Sequence, residues 1–381
     1  MRPNKYTMKA LLGMVSAVAL AVGTVQAGDD KAVTIEDPSS FCDIFDMVEF
    51  YTSDGPIQSI AYTGRLQADA AFFYPDQGDD YEELQWRRFR SGFKMKFLDN
   101  FTLHSEADLN LNDPDPLYRG LTDANIAWSR SDAFKLKIGK QSAAFTMGGK
   151  TSSKKLMRLE RSLLSTNLWF PVEYHSGVTA SGKVENWVYN VGLFSSATTA
   201  EFGDFDAGNF GLLTIGYDFA DSFGLDKALI AVDYVYNSED EGNVNTRDLG
   251  QVVSLNGKFE NGNFGVWTDV AAAEGYQGQP DLFAVAIMPF YNISEQWQLV
   301  ASYNYVNSDG DNGVRLDRYE SRAVRGRADE VHEFFFGVNY YMCGHKLKWQ
   351  NGVEYTTASD NANDGGEYDG WGVTSGIRIS W

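Results

Sequence analysis

The stretch "FTLHSEADLNL", residues 101–111, alternates between two kinds of side chain along its length. One face of an extended chain would carry Phe101, Leu103, Ala107, Leu109 and Leu111. The opposite face would carry Thr102, His104, Glu106, Asp108 and Asn110. Successive strand residues point to opposite sides of a sheet, so this pattern predicts a β-strand with one apolar face and one wet face.

The same period recurs from Ile57 to the end of the chain, for example in "HKLKWQNGVEY" (345–355) and "WGVTSGIRISW" (371–381). Counting such segments gives about 16 strands, joined alternately by short turns and longer loops. An even strand number with short turns on one rim and long loops on the other is typical of a transmembrane β-barrel. A soluble sandwich shares the alternation but does not sort its loop lengths so consistently. We therefore predict an all-β fold, a 16-stranded antiparallel transmembrane β-barrel over residues 57–381.

The bilayer determines which face of each strand points outward and which points into the barrel. Closing the barrel pairs every backbone group, and charged side chains are costly in hydrocarbon, so the apolar faces should meet lipid and the charged faces should line an aqueous lumen. Aromatic residues gather at strand ends, as in "FYNISEQW" (290–297) and "FFFGVNYY" (334–341). They suit the two membrane interfaces, although aromatics packed in a soluble core are the alternative.

The first residues follow a different pattern. Residues 1–27 combine a basic start, an apolar run and the small-residue ending "VQA", which is the layout of a secretory signal peptide. Without these residues the chain has 29 basic and 52 acidic residues. So acidic an exported chain is an improbable partner for nucleic acid. Its histidines are scattered and CxxC spacings are absent, so we expect no metal site and no cofactor.

Residues 28–56 form a separate segment on what should be the periplasmic side. The sequence "SSFCDIFDMVEFY" (39–51) has apolar residues at helical spacing and predicts a short amphipathic helix. Both chain ends and the "CGH" turn (343–345) fall on the short-turn rim. A Cys42–Cys343 disulfide stapling this segment to the barrel mouth is therefore our hypothesis, with two unpaired cysteines as the alternative.

The charged faces carry a column of cations. In "LQWRRFRSGFKMKF" (84–97) the phenylalanines take the lipid face, which leaves the cations on the lumen face. The same test applied to the other strands predicts a basic wall made of Arg65, Arg88, Arg90, Lys94, Lys96, Lys135, Lys137, Lys346, Lys348 and Arg378. Fixed positive charge in a narrow pore concentrates anions. The alternative is that these cations merely balance inward acids such as Asp69, Glu106, Asp108 and Glu354.

A second basic group lies in the long connection 141–173, the third loop on the long-loop side. Its stretch "KTSSKKLMRLERSLLS" (150–165) holds Lys150, Lys154, Lys155, Arg158 and Arg161. Three of these cations have the spacing of one helical face, and Leu156, Leu159 and Leu163 that of another. An external loop exposed to water has no apolar surface against which such a helical face could pack. We therefore predict a short helix that folds into the barrel and narrows the pore.

Several motifs together resemble the phosphate-selective porin O/P family of Gram-negative outer membranes. They are "RRFR" (87–90), "LKIGKQSAAFT" (136–146), "SSKKLMRLERS" (152–162), "SGVTASGKVENWVYNVGLF" (176–194) and "HKLKWQNGVEYT" (345–356). The resemblance implies a homotrimer of 16-stranded barrels, each with its third loop folded inward. The resemblance also implies that Arg88 and Arg90 belong to a ladder of arginines along the pore wall. It implies that the five loop cations line the constriction of the pore. The closing Trp381 looks like the aromatic signal read by the barrel-assembly machinery.

The expected function is therefore an outer-membrane porin, in contact with lipid and lipopolysaccharide, that passes small anions such as phosphate. A general porin, or one for sugars or organic solutes, is the alternative within channels. A barrel-scaffold adhesin or outer-membrane enzyme is the alternative of another class. It has little support, since neither a nucleophile-elbow pattern nor a Gly-rich phosphate loop is evident.

If the third loop forms the constriction, neutralising Lys154, Arg158 and Arg161 together should change ion selectivity more than neutralising Glu239, Asp240 and Glu241 of an outer loop. Charge at the narrowest point acts most strongly on a passing ion. Reversal potentials in planar bilayers measure the difference. Equal effects would place the third loop outside the pore.

Overall fold

The computed structural model describes residues 40–45, 48–361 and 365–381, and the predicted signal peptide lies outside them. Strand β1 spans only Glu49–Thr52. The barrel strands are β2 Ile57–Pro75, β3 Tyr81–Phe97, β4 Phe101–Leu109, β5 Tyr118–Ser131, β6 Phe134–Ser142, β7 Tyr174–Val184, β8 Trp187–Ser195, β9 Asn209–Asp218, β10 Lys227–Asn237, β11 Leu249–Asn261, β12 Phe264–Gly275, β13 Leu282–Asn292, β14 Trp297–Ser308, β15 Glu330–Tyr341, β16 Leu347–Ser359 and β17 Tyr368–Ser380.

Each barrel strand pairs antiparallel with the next along the chain, and β17 returns to pair with β2. Arg378 lies opposite Gln67 at this seam. Strands β2–β17 thus form the closed 16-stranded barrel that the sequence predicted. Strand β1 adds a short pairing at the start of β2, with Thr52 opposite Ser59.

The connections sort into two rims, as the pattern predicted. The short-turn rim carries the connections that follow β3, β5, β7, β9, β11, β13 and β15. The other eight connections lie on the long-loop rim, and three of them are given names. These are L3 (residues 143–173), L5 (residues 238–248) and L7 (residues 309–329).

The two faces of the wall follow the predicted period. In β11, Val253 and Leu255 are exposed on the outer surface, whereas Ser254 between them is fully buried inside. An aromatic belt follows the short-turn rim at the ends of neighbouring strands, as expected at a membrane interface. Its members are Trp187, Tyr217, Phe264, Tyr291, Trp297 and Tyr340.

The helices are short. They are α1 Met147–Lys150 and α2 Leu163–Leu168 in L3, α3 Ala220–Phe223 in a short-rim connection and α4 Glu320–Ala323 in L7. Among the described residues, no helix is both long enough and apolar enough to cross a membrane.

The inside of the barrel has two unlike sides. On the side of β9–β14 the inner wall carries an apolar patch, and Leu163, Leu164 and Leu168 of L3 pack against it in one buried cluster with Val235 and Val252. Burial of each such side chain contributes about 1.5–3 kcal/mol. The predicted wall cations lie on β2, β3, β6, β16 and β17, with Lys346 in the turn before β16. L3 packs its leucines against the apolar patch and bonds to the charged strands β2, β16 and β17 as well.

The N-terminal segment is helical only over a single 3₁₀ turn, Phe41–Phe45. The prediction of an amphipathic helix is wrong in this respect, because Phe41 and Ile44 are exposed and have no apolar surface to cover. Cys42 and Cys343 form a disulfide across 301 residues of sequence. Lys346 Nζ also donates to Phe45 O at 3.4 Å, so the segment is fastened to the turn before β16.

Replacing Cys42 or Cys343 by serine should lower the free energy of unfolding by about 2–4 kcal/mol. Without the disulfide the unfolded chain is no longer restricted by a long-range crosslink, so its conformational entropy is higher. Denaturant unfolding in detergent without reductant measures this change. The double variant should match each single variant, and reduced wild type should match all three. Two free thiols in the oxidised protein, detected by mass spectrometry, would refute the link.

Candidate functional site: the constriction and its vestibule

L3 enters the barrel but does not form the predicted helix over residues 154–163. Helices α1 and α2 flank an irregular stretch of turns, so Lys154, Arg158 and Arg161 do not share a helical face. The prediction of inward packing is nevertheless met, since Leu156, Leu159 and Leu163 are all buried. The helices themselves are capped by Thr146 and Ser162, whose hydroxyls accept from Gly149 N and Ser165 N.

The irregular stretch keeps its shape because wall side chains satisfy its backbone. Lys348 and Gln350 of β16 both donate to Leu156 O, and Arg378 donates to Leu159 O at 3.4 Å. Those carbonyls would otherwise accept helical hydrogen bonds, so tertiary contacts replace the helix here. Part of the predicted basic wall therefore anchors the loop.

Two further wall residues hold the same stretch of L3. Arg65 Nη1 donates to Ser153 Oγ at 2.7 Å, and Gln67 Nε2 donates to Ser153 O at 3.1 Å. Lys154 Nζ reaches Trp381 O at 2.8 Å. Burial and then the nearby charge of Arg65 lower the pKa of Lys154 to about 8. This ammonium is therefore charged at neutral pH and loses its charge in mildly alkaline solution.

Among the described residues, at least seven of the fifteen predicted cations have an acidic partner within 4 Å. Glu106 Oε1 lies 2.7 Å from Arg65 Nη2, and Glu173 Oε1 lies 3.2 Å from Arg161 Nη1. These contacts correspond to the alternative in which inward cations balance inward acids. The pairs are Arg65–Glu106, Arg88–Glu160, Arg88–Glu173, Arg90–Asp108, Arg378–Asp69, Lys150–Asp233, Arg158–Glu333, Arg158–Glu354 and Arg161–Glu173.

Arg158 is almost completely buried and has the most varied contacts of these cations. Its guanidinium contacts Glu333 and Glu354, donates to Ser302 Oγ at 2.9 Å, and lies 4.3 Å from the centre of the Phe335 ring. Gly352 makes room for that ring, because a Cβ there would lie 2.2 Å from it. Burial opposes the charge, but the carboxylates outweigh burial and raise the pKa of Arg158.

Other predicted cations keep their charge free for the lumen. Among the described residues, Lys94, Lys96, Lys135, Lys137 and Lys155 have no ion pair within 4 Å. Four of them lie on β3 and β6, near the short-turn rim. Lys346 belongs to the turn before β16, so its prediction as a wall residue is wrong.

A second loop, L7, also folds over the lumen. Tyr319 Oη donates to Asp69 at 2.8 Å and stacks near Phe73 of β2. L7 also holds L3, since Asn167 Oδ1 accepts from Arg315 N at 2.8 Å and Thr166 donates to Asp317 at 3.0 Å. The two loops are therefore interlocked on the long-loop side.

L3, L5, L7 and β3 together line a cavity of about 570 Å³, here called the vestibule. Its lining includes three carboxylates, Glu160, Glu173 and Asp317. It also includes eight arginines, namely Arg87, Arg88, Arg161, Arg247, Arg315, Arg318, Arg322 and Arg327. The charge of the vestibule is thus strongly positive, on a chain whose net charge is −20.

The charges inside the vestibule perturb one another. Burial and then the nearby Arg315 and Arg327 lower the pKa of Arg247 to about 9. Burial alone would raise the pKa of Glu173, but the arginines, Arg161 foremost, lower it to about 2. Glu173 is therefore charged and the arginines still repel one another, whereas burial and then Glu333 raise the pKa of Asp317. An excess of positive charge of this kind is the electrostatic setting of an anion site.

Sequence reasoning missed six of the eight vestibule arginines. Arg87 was missed because strict alternation places it on the face opposite Arg88. A one-residue bulge in β3 at Arg87, facing Gln67 and Ala68 of β2, shifts the register there. Arg87 therefore reaches Glu160 of L3 and donates to it at 2.8 Å. The signal for the L7 residues was present in "RLDRYESRAVRGR" (315–327), a loop with five arginines among mostly acidic loops.

Comparison with known proteins bears on this arrangement. Residues 60–209 match the sequence model of the family described as phosphate-selective porin O and P. Over these residues the chain is similar to that family. The matched segment includes the cation column of β3, all of L3 and the hairpin after it. No curated protein sequence matches the chain.

Solved porins share the fold of the chain. One is OmpF of Salmonella typhi in complex with daunomycin, 12% identical, with a TM-score of 0.61, covering 87% of this chain and all of its own. The anion-selective porin of Comamonas acidovorans is 10% identical, with a TM-score of 0.60 and coverage of 85% and 99%. The trimer form of OmpT from Vibrio cholerae is 14% identical, with a TM-score of 0.53 and coverage of 84% and 99%. With the family match, these folds identify the chain as an outer-membrane channel.

Replacing Arg158 by methionine should lower the free energy of unfolding by about 3–5 kcal/mol, because Glu333 and Glu354 would remain buried without their partner. Denaturant unfolding in detergent, followed by tryptophan fluorescence, measures the loss. Lys155→Met is the matched control on the same loop and should stay within about 0.5 kcal/mol of wild type. Adding Glu333→Gln to Arg158→Met should restore part of the stability. If Arg158→Met and Lys155→Met were equally stable, L3 would not depend on the contact of Arg158 with Glu333 and Glu354.

Proposed function

We propose that this outer-membrane channel prefers small anions, including phosphate-like oxyanions. The observation that carries the proposal is the vestibule, where eight arginines face three carboxylates in one cavity. Fixed charge of one sign at a low-dielectric entrance raises the local concentration of the opposite ion. The excess of five positive charges there favours anions at the point of entry.

The side-chain type favours oxyanions in particular. A guanidinium offers planar paired donors that match the oxygens of phosphate or carboxylate, whereas an ammonium acts as a point charge. The long-loop side uses arginine, and the short-turn side uses the unpaired lysines of β3 and β6. An anion would thus meet bidentate sites first and weaker point charges on leaving.

The first alternative is a porin without anion preference, for sugars or other neutral solutes. The ion pairs of the inner wall favour it, because they cancel much of the charge that the sequence suggested. The vestibule distinguishes the two, since its arginines outnumber its acids. Phosphate that blocks monovalent conductance at low concentration would support the anion channel.

We also propose a homotrimer that assembles in contact with outer-membrane lipid and lipopolysaccharide. The trimer form of the Vibrio cholerae OmpT fold supports this state. The final aromatic residue, Trp381, stacks on Tyr62 at a ring distance of 5.6 Å. We propose in addition that Trp381 is a signal for the barrel-assembly machinery.

Reversal potentials under a salt gradient test the selectivity. Wild type should favour chloride over potassium, and Arg315→Gln with Arg327→Gln should shift the reversal potential towards the cation side, because two vestibule charges are lost. Arg325→Gln is the matched control, since this exposed residue lies on the same loop but does not line the cavity. Cation preference in wild type, or an equal shift in the control, would refute the proposal.

A further inference from the structure

Three buried glutamates meet at the place where L7 touches the barrel wall. Glu320 comes from α4 of L7, Glu333 from β15 and Glu354 from β16. One carboxylate oxygen of each lies within 4.8 Å of the other two. All three residues are at least nine-tenths buried, so the charges are shielded from bulk water. Carboxylates brought this close repel one another unless something positive joins them.

The described contacts supply one cation for this group. Arg158 bonds to Glu333 and Glu354, whereas Glu320 Oε1 accepts from the Thr356 hydroxyl at 3.0 Å. Three carboxylates and one guanidinium leave a deficit of two positive charges.

A polar atom without a partner points into the same space. The Tyr368 hydroxyl belongs to a residue that is 1% exposed and has no hydrogen-bond partner among the described residues. It lies beside Gly370, which pairs with Thr356, and it interacts electrostatically with Glu320 and Glu354. Next to Glu333, Asn304 is fully buried and its Oδ1 also lacks a described partner. An unused hydroxyl, that of Tyr368, and a buried amide, that of Asn304, therefore lie beside the glutamates.

We propose that Glu320, Glu333 and Glu354 bind a divalent cation of the calcium type. The ligands are all hard oxygens, with the Tyr368 hydroxyl as a further oxygen donor, and neither histidine nor cysteine is part of the group. Such a set suits Ca²⁺, which takes six to eight oxygens in flexible geometry, better than Zn²⁺. One divalent ion would supply the two missing positive charges.

The ion would connect L7 to the wall beside the vestibule. Glu320 lies in the same loop as Arg315, Arg318, Arg322 and Arg327, whose positions define the arginine-rich cavity. Arg158 of L3 shares two of the three carboxylates, so the ion would also fix the junction of the two loops. Metal-dependent anion selectivity is a consequence that rests on the proposed function, whereas metal binding itself does not.

Calorimetric titration of the refolded full chain in detergent, stripped with chelator and free of lipopolysaccharide, tests the site. Wild type should bind one Ca²⁺ per chain, and Glu320→Gln should weaken binding about tenfold or more. Glu241→Gln is the matched control, because this exposed glutamate lies in L5, away from the cluster, and it should bind as wild type does.

Thermal unfolding provides the second readout, since a ligand that binds only the folded state raises the unfolding temperature. Added Ca²⁺ should raise it for wild type and for Glu241→Gln but not for Glu320→Gln. Heat-dependent migration in detergent gels verifies that each variant is folded. Equal Ca²⁺ binding by wild type and Glu320→Gln, or no binding by wild type, would overturn the proposal. Reversal potentials recorded without Ca²⁺ test the anion channel separately.

Discussion

The seam between β17 and β2 is the constraint on which the rest of the structure depends. In hydrocarbon, each unpaired backbone group costs several kcal/mol, so a sheet can cross the membrane only when its two edges meet. Once they do, the alternation of side chains has only one permitted sense, with apolar residues outside and charged residues inside. The polar chemistry of the lumen is thus a consequence of closure, because charged side chains on the lipid-facing surface would be too costly.

Inside that lumen, charge serves two different purposes. Lys348 and Arg378 hold the backbone of L3, and Arg65 holds its Ser153 side chain. Glu106 offsets the charge of Arg65, and Asp69 that of Arg378. The arginines of L7 and L5 lie at the mouth and are in excess over acids. A column of cations on a strand is therefore a poor guide to selectivity by itself. What matters is which cations lack a partner where solute enters.

The sequence predicted the barrel well because period two, rim-sorted loops and chain length constrain one another. It could not predict the irregular course of residues 151–161, since wall side chains from β16 and β17 replace the helical hydrogen bonds there. It also missed Arg87, whose direction depends on a one-residue bulge in β3. The burial of Leu156 and Leu159 followed from composition, whereas the ion pairs required knowledge of which strands face each other across the lumen.

The sequence distance across the seam has a consequence for how the barrel forms. Arg378 and Asp69 meet although 309 residues separate them in the chain. Contacts of such high order are slow to form, because a long loop must close before any pairing compensates for the lost entropy. The first strand can therefore find its last partner only when nearly all of the chain is present. Until then, two strand edges and many apolar faces are open to aggregation, which makes protection before closure a requirement of this topology.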